Sequence, residues 1–214
     1  MLARAVIAGA ALALAPGLFE AAAAERFDAR NIRFEHVTGA VEIVTNSGDE
    51  IDVTIRQGKT YRQVRATLED GVVVLRGEKW KEEDLRDCCN QRITRTFNPR
   101  HGREATIGQP VDDDFFADHP TIVVVMPRKG DATFIDARMK LKMDSLTGAL
   151  NLDACYVYGE TGDMGQATIG VIEGSRLVVG NVGSGLEIDI SGDAAVRVGS
   201  AASVDIDIAG PGDV

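Results

Sequence analysis

The sequence has few aromatic residues and no excess of basic charge. Aromatic residues make up 5% of the 214 residues, so a core has to be built from Val, Ile, Leu and Ala. That composition suits narrow stacked strands better than a broad sandwich. Asp and Glu number 33 against 23 Lys and Arg, which gives a formal net charge of −10. Because little basic charge is left to neutralise phosphates, we expect no nucleic-acid partner.

The chain also lacks the short motifs of common enzymes. It contains no Gly-x-Ser-x-Gly, no Walker loop and no His-Glu-x-x-His, and its histidines, His36, His101 and His119, are scattered. Three cysteines without a matching histidine give no zinc spacing. The sequence therefore predicts a protein that is not an enzyme and that carries no cofactor and no metal.

Long hydrophobic runs are absent, and one short run lies at the N-terminus. Met1–Arg4 carries one positive charge, Ala5–Leu14 is apolar, and Ala22-Ala23-Ala24 matches a small-x-small cleavage site. These features are typical of a secretory signal peptide over residues 1–24, and the run is too short to span a membrane as a helix. We therefore expect an extracytoplasmic protein, periplasmic or secreted, with no transmembrane segment after cleavage.

A repeat with a period near eighteen residues dominates the C-terminal part, 146–214. Segments that alternate apolar and polar residues are centred on Leu152, Ile169, Ile188 and Ile206, which are spaced by 17, 19 and 18 residues. Two further apolar columns keep nearly the same period. The second column is Leu141, Tyr158, Leu177, Val196 and Val214, and the third is Leu146, Met164, Val182 and Ala201. Three apolar columns in each repeat predict three sides to each turn of a coil.

Glycines recur with the same period, at Gly174, Gly192 and Gly210 and again at Gly162, Gly180 and Gly199. We expect both sets to supply the positive φ of sharp corners. Antiparallel hairpins also need glycine turns, but they do not require three columns to share one period, as stacked rungs do. The predicted fold is therefore all-β: a right-handed parallel β-helix, three-sided with about 18 residues per rung, capped by N-terminal antiparallel strands.

The organisation along the chain follows from these patterns. Residues 25–77 read as antiparallel strands that cap the coil, and residues 121–214 read as the parallel β-helix repeats. Thr133, Ile135 and Ala137 lie 17 residues before Leu150, Leu152 and Ala154 and are expected to form a first rung with them. Residues 78–120 are a charged insertion loop. It has two interpretations, a solvated charge run or a binding loop laid over the strands.

The three cysteines allow one disulfide. Cys88 and Cys89 are adjacent, and a bridge between neighbours is strained. Cys155 is expected at an outward position beside a corner, so we predict a bridge from Cys155 to Cys88 or Cys89 in an oxidising compartment. The alternative is that all three thiols stay reduced.

Acidic residues recur at outward positions of the repeat. The candidate ligand-binding residues are Asp153, Glu187, Asp189, Asp205 and Asp207. Paired carboxylates could serve glycoside hydrolysis or bind Ca²⁺, whereas the alternative is a solvated face that keeps sheets from sticking together. Parallel strands aim these side chains in parallel, which opposes the convergence of oxygens that a tight calcium site needs, so we predict no such site.

Several stretches together resemble a bacterial family, the auto-transporter adhesin, head GIN domain family. They are Phe27-Asp28 after the signal peptide, Leu68–Leu75, Ile122–Pro127, and the recurring Ile190–Asp193 and Ile208–Val214. The resemblance extends over 27–214 with an interruption at 78–120, and the Cys-bearing insertion departs from the family pattern. It implies a parallel β-helix and an adhesin, and it brings no catalytic residues.

The preferred function is therefore a non-catalytic, adhesin-like β-helix module that binds an envelope or extracellular partner, a protein or a glycan. The alternative is a polysaccharide-active β-helix enzyme that uses the outward carboxylates.

Overall fold

The described part of the chain is all-β. The computed structural model describes residues 24–59, 63–78, 116–172 and 174–214, and these ranges contain strands and no helix. In particular, no helix in these ranges is long and apolar enough to cross a membrane. Apart from Ala24, which begins the first strand, the predicted signal peptide lies outside the described residues.

Twelve strands form one mixed sheet within the described ranges. Their bounds are β1 Ala24–Phe27, β2 Asn31–Glu35, β3 Thr38–Asn46, β4 Ile51–Arg56, β5 Arg65–Glu69, β6 Val72–Arg76, β7 Thr121–Pro127, β8 Ala132–Met143, β9 Ala149–Thr161, β10 Gln166–Ile172, β11 Arg176–Ser191 and β12 Ala195–Ala209. From β8 onward all pairings between strands are parallel. The C-terminal repeats therefore stack as parallel rungs, as the common period predicts.

The first apolar column has the register that the repeat predicts. Ile169 pairs with Leu152 on one side and with Ile188 on the other, and Ile188 pairs with Ile206. Leu152, Ile169 and Ile188 are at most 2% exposed. The alternation of apolar and polar residues thus places one face of these three rungs in a common core, whereas Ile206 on the last strand is 43% exposed.

The expected register of the first rung is wrong by one residue at one end. Leu152 pairs with Phe134, not with Ile135, whereas Ala154 pairs with Ala137 as expected. The register shifts between Phe134 and Ala137, where Asp136 has a φ of 51°. This β-bulge adds a residue that the apolar spacing does not reveal.

Two members of the second apolar column, Tyr158 and Val214, are exposed rather than buried. Leu141 and Leu177 are buried, but both pair with Gly159, and Tyr158 is 50% exposed. Tyr158 instead pairs with Lys140 and Arg176 on the outward side. The third column is confirmed, since Leu146, Met164 and Val182 are buried and Ala201 packs against the same core.

The N-terminal strands are not all antiparallel, which corrects the predicted cap. β2 and β3 both pair in parallel with β8, and they also pair in parallel with β6 and β7 respectively. Only β1–β4, β4–β7 and β5–β6 pair antiparallel in the described ranges. β2 and β3 thus add a rung below β8, and β6 and β7 add another, because their buried residues continue the same core.

The two glycine sets have different structural roles. Gly174, Gly192 and Gly210 have φ of 81°, 87° and 131°, so this set supplies the corner conformation as predicted. The second set does not have a positive φ at Gly162, Gly180 or Gly199. A Cβ on Gly180 would lie 2.7 Å from the carbonyl carbon of Gly162, so this second set is needed for the close approach of successive rungs.

A ladder of polar side chains runs beside this second glycine set. The backbone N–H of Asp163 donates to Oγ of Ser145 at 2.9 Å. Oδ1 of Asp163 accepts from the backbone N–H of Asn181 at 2.7 Å and from its Nδ2 at 3.0 Å. Ser200 Oγ then donates to Oδ1 of Asn181 at 2.8 Å. Each rung is thereby tied to the next at the same corner.

Candidate functional site

The candidate carboxylates lie together on one outward side of the rungs, which we call the acidic face. Glu187 pairs in register with Asp205, and Asp189 pairs with Asp207. Asp153 is joined to Asp189 through Gly170, which pairs with both. All five side chains are exposed. The pairing therefore brings these residues together on one face, with paired residues about one strand spacing, 4.8 Å, apart at the backbone.

One carboxyl group of the acidic face, that of Asp153, is less acidic than an ordinary aspartate. The pKa of Asp153 is raised, first because surrounding protein shields the carboxyl group from water, and then because Asp136 and Asp189 add negative charge. The described ranges contain no cluster of three or more His, Cys, Asp or Glu that could hold a metal ion. The face therefore offers parallel carboxylates, without a converging set of oxygens.

At the N-terminal end of the sheet, acidic residues are neutralised. Arg76 on β6 donates from Nε to Oε2 of Glu35 on β2 at 2.7 Å, and it donates to Glu69 on β5 at 3.0 Å. Arg33 adds a second ion pair to Glu35 at 2.7 Å. The hydrogen bond from Arg76 is the main cause of the lowered pKa of Glu35. This network joins the three strands β5, β6 and β2. Within the described part of the chain, the five carboxylates of the acidic face form no ion pair with a basic side chain.

A groove lies on a second outward side of the same rungs, and we call it the tyrosine groove. It has a volume of about 710 Å³. Its outward side chains are Glu42, Lys140, Lys142, Tyr158, Glu160, Arg176, Val178 and Arg197. Tyr158 and Val178 are each 50% exposed. None of the five carboxylates of the acidic face lines this groove, so the two surfaces are separate.

The registers of β3, β8, β9, β11 and β12 align the groove side chains in two columns. One column is Ala40, Lys140, Tyr158, Arg176 and Ala195, and the other is Glu42, Lys142, Glu160, Val178 and Arg197. Tyr158 thus has a basic residue on each side, one rung away. Four basic and two acidic residues line the groove. Basic side chains therefore outnumber acidic ones there, whereas the whole chain has a net charge of −10.

The tyrosine groove was not predicted from the sequence, because Tyr158 was assigned to the buried column. A signal was present: Lys140, Lys142, Arg176 and Arg197 recur near the same period as the apolar residues. Basic residues at that period cannot all point inward, which favours an outward register for the neighbouring Tyr158.

Cys155 lies at a corner of the coil and is buried, which corrects the expected outward position. It is 3% exposed and disulfide-bonded, and its Sγ atom lies 3.4 Å from the carbonyl oxygen of Ala137. Cys155 has no register partner on β8 because the pairing shifts between Ala137 and Arg138. Cys88 and Cys89 lie outside the described residues, so the choice between them remains a prediction.

The end of the predicted insertion packs near this corner. Phe116 and His119 are 7% and 4% exposed. The ring of Phe116 lies 6.4 Å from the ring of Tyr156, the residue after Cys155. Residues 116–120 are therefore part of the packed structure, while 79–115 of the predicted insertion lie outside the described residues.

Comparisons with known proteins find similar solved structures at low identity. A crystal structure of a putative adhesin from Bacteroides fragilis NCTC 9343 is 9% identical, with 91% of this chain and 96% of that chain covered and a TM-score of 0.36. A putative cell adhesion protein from Clostridium sporogenes ATCC 15579 is 8% identical, with 90% and 100% covered and a TM-score of 0.29. A putative adhesin from Parabacteroides merdae ATCC 43184 is 12% identical, with 92% and 97% covered and a TM-score of 0.23.

No family model matches the chain, and no curated protein matches it. The solved structures that it resembles carry adhesin names, but identity and superposition at this level assign neither a family nor a function. The resemblance to the head GIN domain family therefore rests on the sequence motifs alone.

Proposed function

We propose that the chain is a non-catalytic, extracytoplasmic β-helix module that binds an envelope or extracellular partner, a protein or a glycan, through the tyrosine groove. The observation that carries this proposal is the outward position of Tyr158 between Lys140 and Arg176. An aromatic side chain that is half exposed on a sheet does not contribute its full area to the core. Exposed apolar groups framed by charged ones are typical of interaction sites.

The proposed scaffold is a right-handed coil of three-sided rungs. It is supported by three buried columns with offsets near eighteen residues and by parallel pairing from β8 to β12. Right-handedness follows from the general rule for crossovers between parallel strands. Such a scaffold holds outward side chains in fixed columns, which suits a rigid binding surface. The predicted signal peptide supports the extracytoplasmic location.

A binding experiment with two matched double variants tests the proposal. The first carries Tyr158→Ala and Arg197→Glu in the groove, and the second carries Asp189→Asn and Asp207→Asn on the acidic face. All four side chains are exposed, so both variants are expected to fold. We expect retention on envelope preparations of the source organism to be lost in the groove variant and kept in the acidic-face variant. Equal retention of both would contradict a role for the groove.

The alternative, a polysaccharide-active enzyme, has one observation in its favour. The pKa of Asp153 is raised, and Asp189 contributes to that shift; a raised pKa is what the general acid of a glycosidase needs. Asp153 and Asp189 are two strand spacings apart, about 10 Å at the backbone. Inverting glycosidases hold their carboxyl groups roughly 6.5–9.5 Å apart, so this pair would suit inversion better than retention.

Release of reducing ends from acidic and neutral glycans tests the alternative. The wild-type chain is compared with Asp153→Asn and with the groove variant. Release that disappears in Asp153→Asn but persists in the groove variant would establish the enzyme and end the non-catalytic proposal. We expect no release from any of the three proteins.

A further inference from the structure

We infer that the tyrosine groove binds an acidic oligosaccharide, with Tyr158 as a stacking platform and Lys142 and Arg197 as partners of carboxylate or sulfate groups. This inference rests on the proposed function, because it names the partner class of the same groove. The anionic group comes from a uronic acid or from a sulfated sugar, and the experiment below separates these sources.

The charge of the groove selects an anion. Four basic side chains, Lys140, Lys142, Arg176 and Arg197, line it against two acidic ones, Glu42 and Glu160. Arg176 is paired with Asp193 beside the groove, but basic side chains still outnumber acidic ones in a chain of net charge −10. The acidic face occupies another side of the same rungs and repels anions. The two faces therefore direct an anionic ligand to the groove and away from the rest of the coil.

The exposed aromatic ring selects a ligand with a flat apolar surface. Tyr158 is 50% exposed, and Val178 beside it is exposed to the same extent. A sugar ring has an apolar face of C–H groups that can lie on the phenol ring, while its hydroxyl groups reach the charged side chains around it. An acidic peptide supplies the charge but no comparable flat face, so Tyr158 favours the saccharide.

The strand register determines the direction in which the oligosaccharide would lie, which is across the rungs. Tyr158 pairs with Lys140 on one side and with Arg176 on the other, so each basic residue is about 4.8 Å from it at the backbone. Glu160 lies in the second column between Lys142 and Val178, with Arg197 beyond. A chain of sugar rings that crosses the strands would meet the aromatic platform with cations before and after it.

The basic residues differ in how freely they can bind a ligand. Arg176 is held at the corner, because it donates to the carbonyl oxygens of Ser175 at 2.8 Å and Asp193 at 3.1 Å and pairs with the Asp193 carboxylate. Lys142 pairs with Glu42 at 3.2 Å, but both side chains are exposed, and such a pair is weak enough for an anion to displace. Within the described ranges Arg197 makes no ion pair, which leaves its charge for a ligand.

Calorimetric titration of the full chain tests the inference with four probes of matched length. They are a uronic-acid oligosaccharide, a sulfated oligosaccharide, a neutral oligosaccharide and an oligoglutamate peptide. We expect at least one acidic saccharide to bind about tenfold more tightly than the neutral one at low salt, and the difference to shrink as salt is added. The tighter of the two acidic saccharides identifies the anionic group.

Variants separate stacking from charge. Tyr158→Ala should weaken the acidic saccharide about tenfold, whereas Tyr158→Phe, which keeps the ring, should bind within about twofold of wild type. Arg197→Gln should weaken the acidic saccharide and leave the neutral one unchanged. Asp189→Asn on the acidic face is the matched control and should bind like wild type.

Three outcomes would overturn the inference. Oligoglutamate that binds as tightly as the saccharides and ignores Tyr158→Ala would make the groove an acidic-peptide site. Saccharide binding that Tyr158→Ala leaves unchanged would place the sugar elsewhere. No saccharide binding, together with groove-dependent retention on envelope preparations, would reject the saccharide and keep the proposed function, whereas groove-independent retention would reject the proposed function itself.

Discussion

The rings of Phe34 and Phe134 stack with their centroids 4.5 Å apart and their planes at 10°. The two residues pair in register across β2 and β8, although they are 134 − 34 = 100 positions apart in sequence. Each is at most 1% exposed. Phe134 also pairs with Leu152, so the stack is the N-terminal continuation of the column Leu152, Ile169 and Ile188.

Replacing one ring of this stack tests whether β2 belongs to the core of the rungs. Phe34→Ala should lower the free energy of unfolding by about 3–5 kcal/mol, because it removes a buried ring from β2 and leaves a cavity. Leu68→Ala is the control, since Leu68 on β5 is 50% exposed, and it should cost less than about 1 kcal/mol. Urea denaturation measures both. Similar costs for the two variants would contradict the central position of the stack.

The register of the repeat predicts that substitutions at two adjacent residues change the stability by very different amounts. Ile188 is 1% exposed and Glu187 is exposed. Ile188→Asp should destabilise the chain by several kcal/mol, about 2–7, because it buries a polar group without a partner, whereas Glu187→Ala should be nearly silent. Thermal melts compare them, and equal shifts would refute the assigned faces.

The close approach of rungs at the second glycine set can be tested in the same way. Gly180→Ala should cost about 1–3 kcal/mol, because the new Cβ would lie 2.7 Å from the backbone of Gly162. Gly170→Ala is the matched control, since its Cβ would meet only ordinary contacts at 3.8 Å or more, and we expect it to be neutral or slightly stabilising. Chemical denaturation measures the free energy of unfolding of both variants. If Gly180→Ala were as stable as wild type, the rungs would be able to move apart at this position at little cost.

The raised pKa of Asp153 predicts a pH-dependent stability. A carboxyl group whose pKa is higher in the folded state binds its proton more tightly there, so stability falls as pH rises from the ordinary value of 3.8 through the raised pKa. Asp153→Asn should therefore raise the melting temperature at pH 7, by an equivalent of about 0.5 kcal/mol for this exposed site. The gain should vanish toward acid pH, and only the part that comes from the charges of Asp136 and Asp189 should shrink in high salt.

Melting curves between pH 4 and pH 8, roughly the range in which most domains stay folded, measure this effect. Asp28→Asn, an exposed change between β1 and β2, is the control and should give no such trend. A gain from Asp153→Asn that grows toward acid pH would have the wrong sign.

The disulfide of Cys155 should contribute substantially to stability. If its partner is Cys88, the bridge closes 155 − 88 = 67 residue steps, and its removal should cost on the order of 4 kcal/mol in the chain-entropy model. Peptide mapping without reductant identifies the partner, and melting with and without reductant measures the loss. Cys155→Ala should melt at the same temperature under both conditions. Mapping that recovers only free thiols from protein folded under oxidising conditions would end the prediction.

Much of the fold follows from local pattern. Alternation of apolar and polar residues around Leu152, Ile169 and Ile188 fixes which residues face inward, and their common spacing fixes which rung lies on which. The position of the acidic face follows from the same repeat spacing, because the outward neighbours of a buried column must also lie in columns. Gly174 and Gly192 mark a corner because few other residues adopt a positive φ.

The remaining features of the fold and of the groove depend on contacts between residues distant in sequence, which no local sequence pattern predicts. The bulge at Asp136 shifts the register by one residue, and a shift of one residue exchanges the two faces of a strand. The parallel pairing of β2 and β3 with β8 joins segments about 100 residues apart in sequence. Gly180 is required only because another rung approaches it. Tyr158 faces outward because Gly159 fills the inner position, so the tyrosine groove exists only once the rungs are stacked.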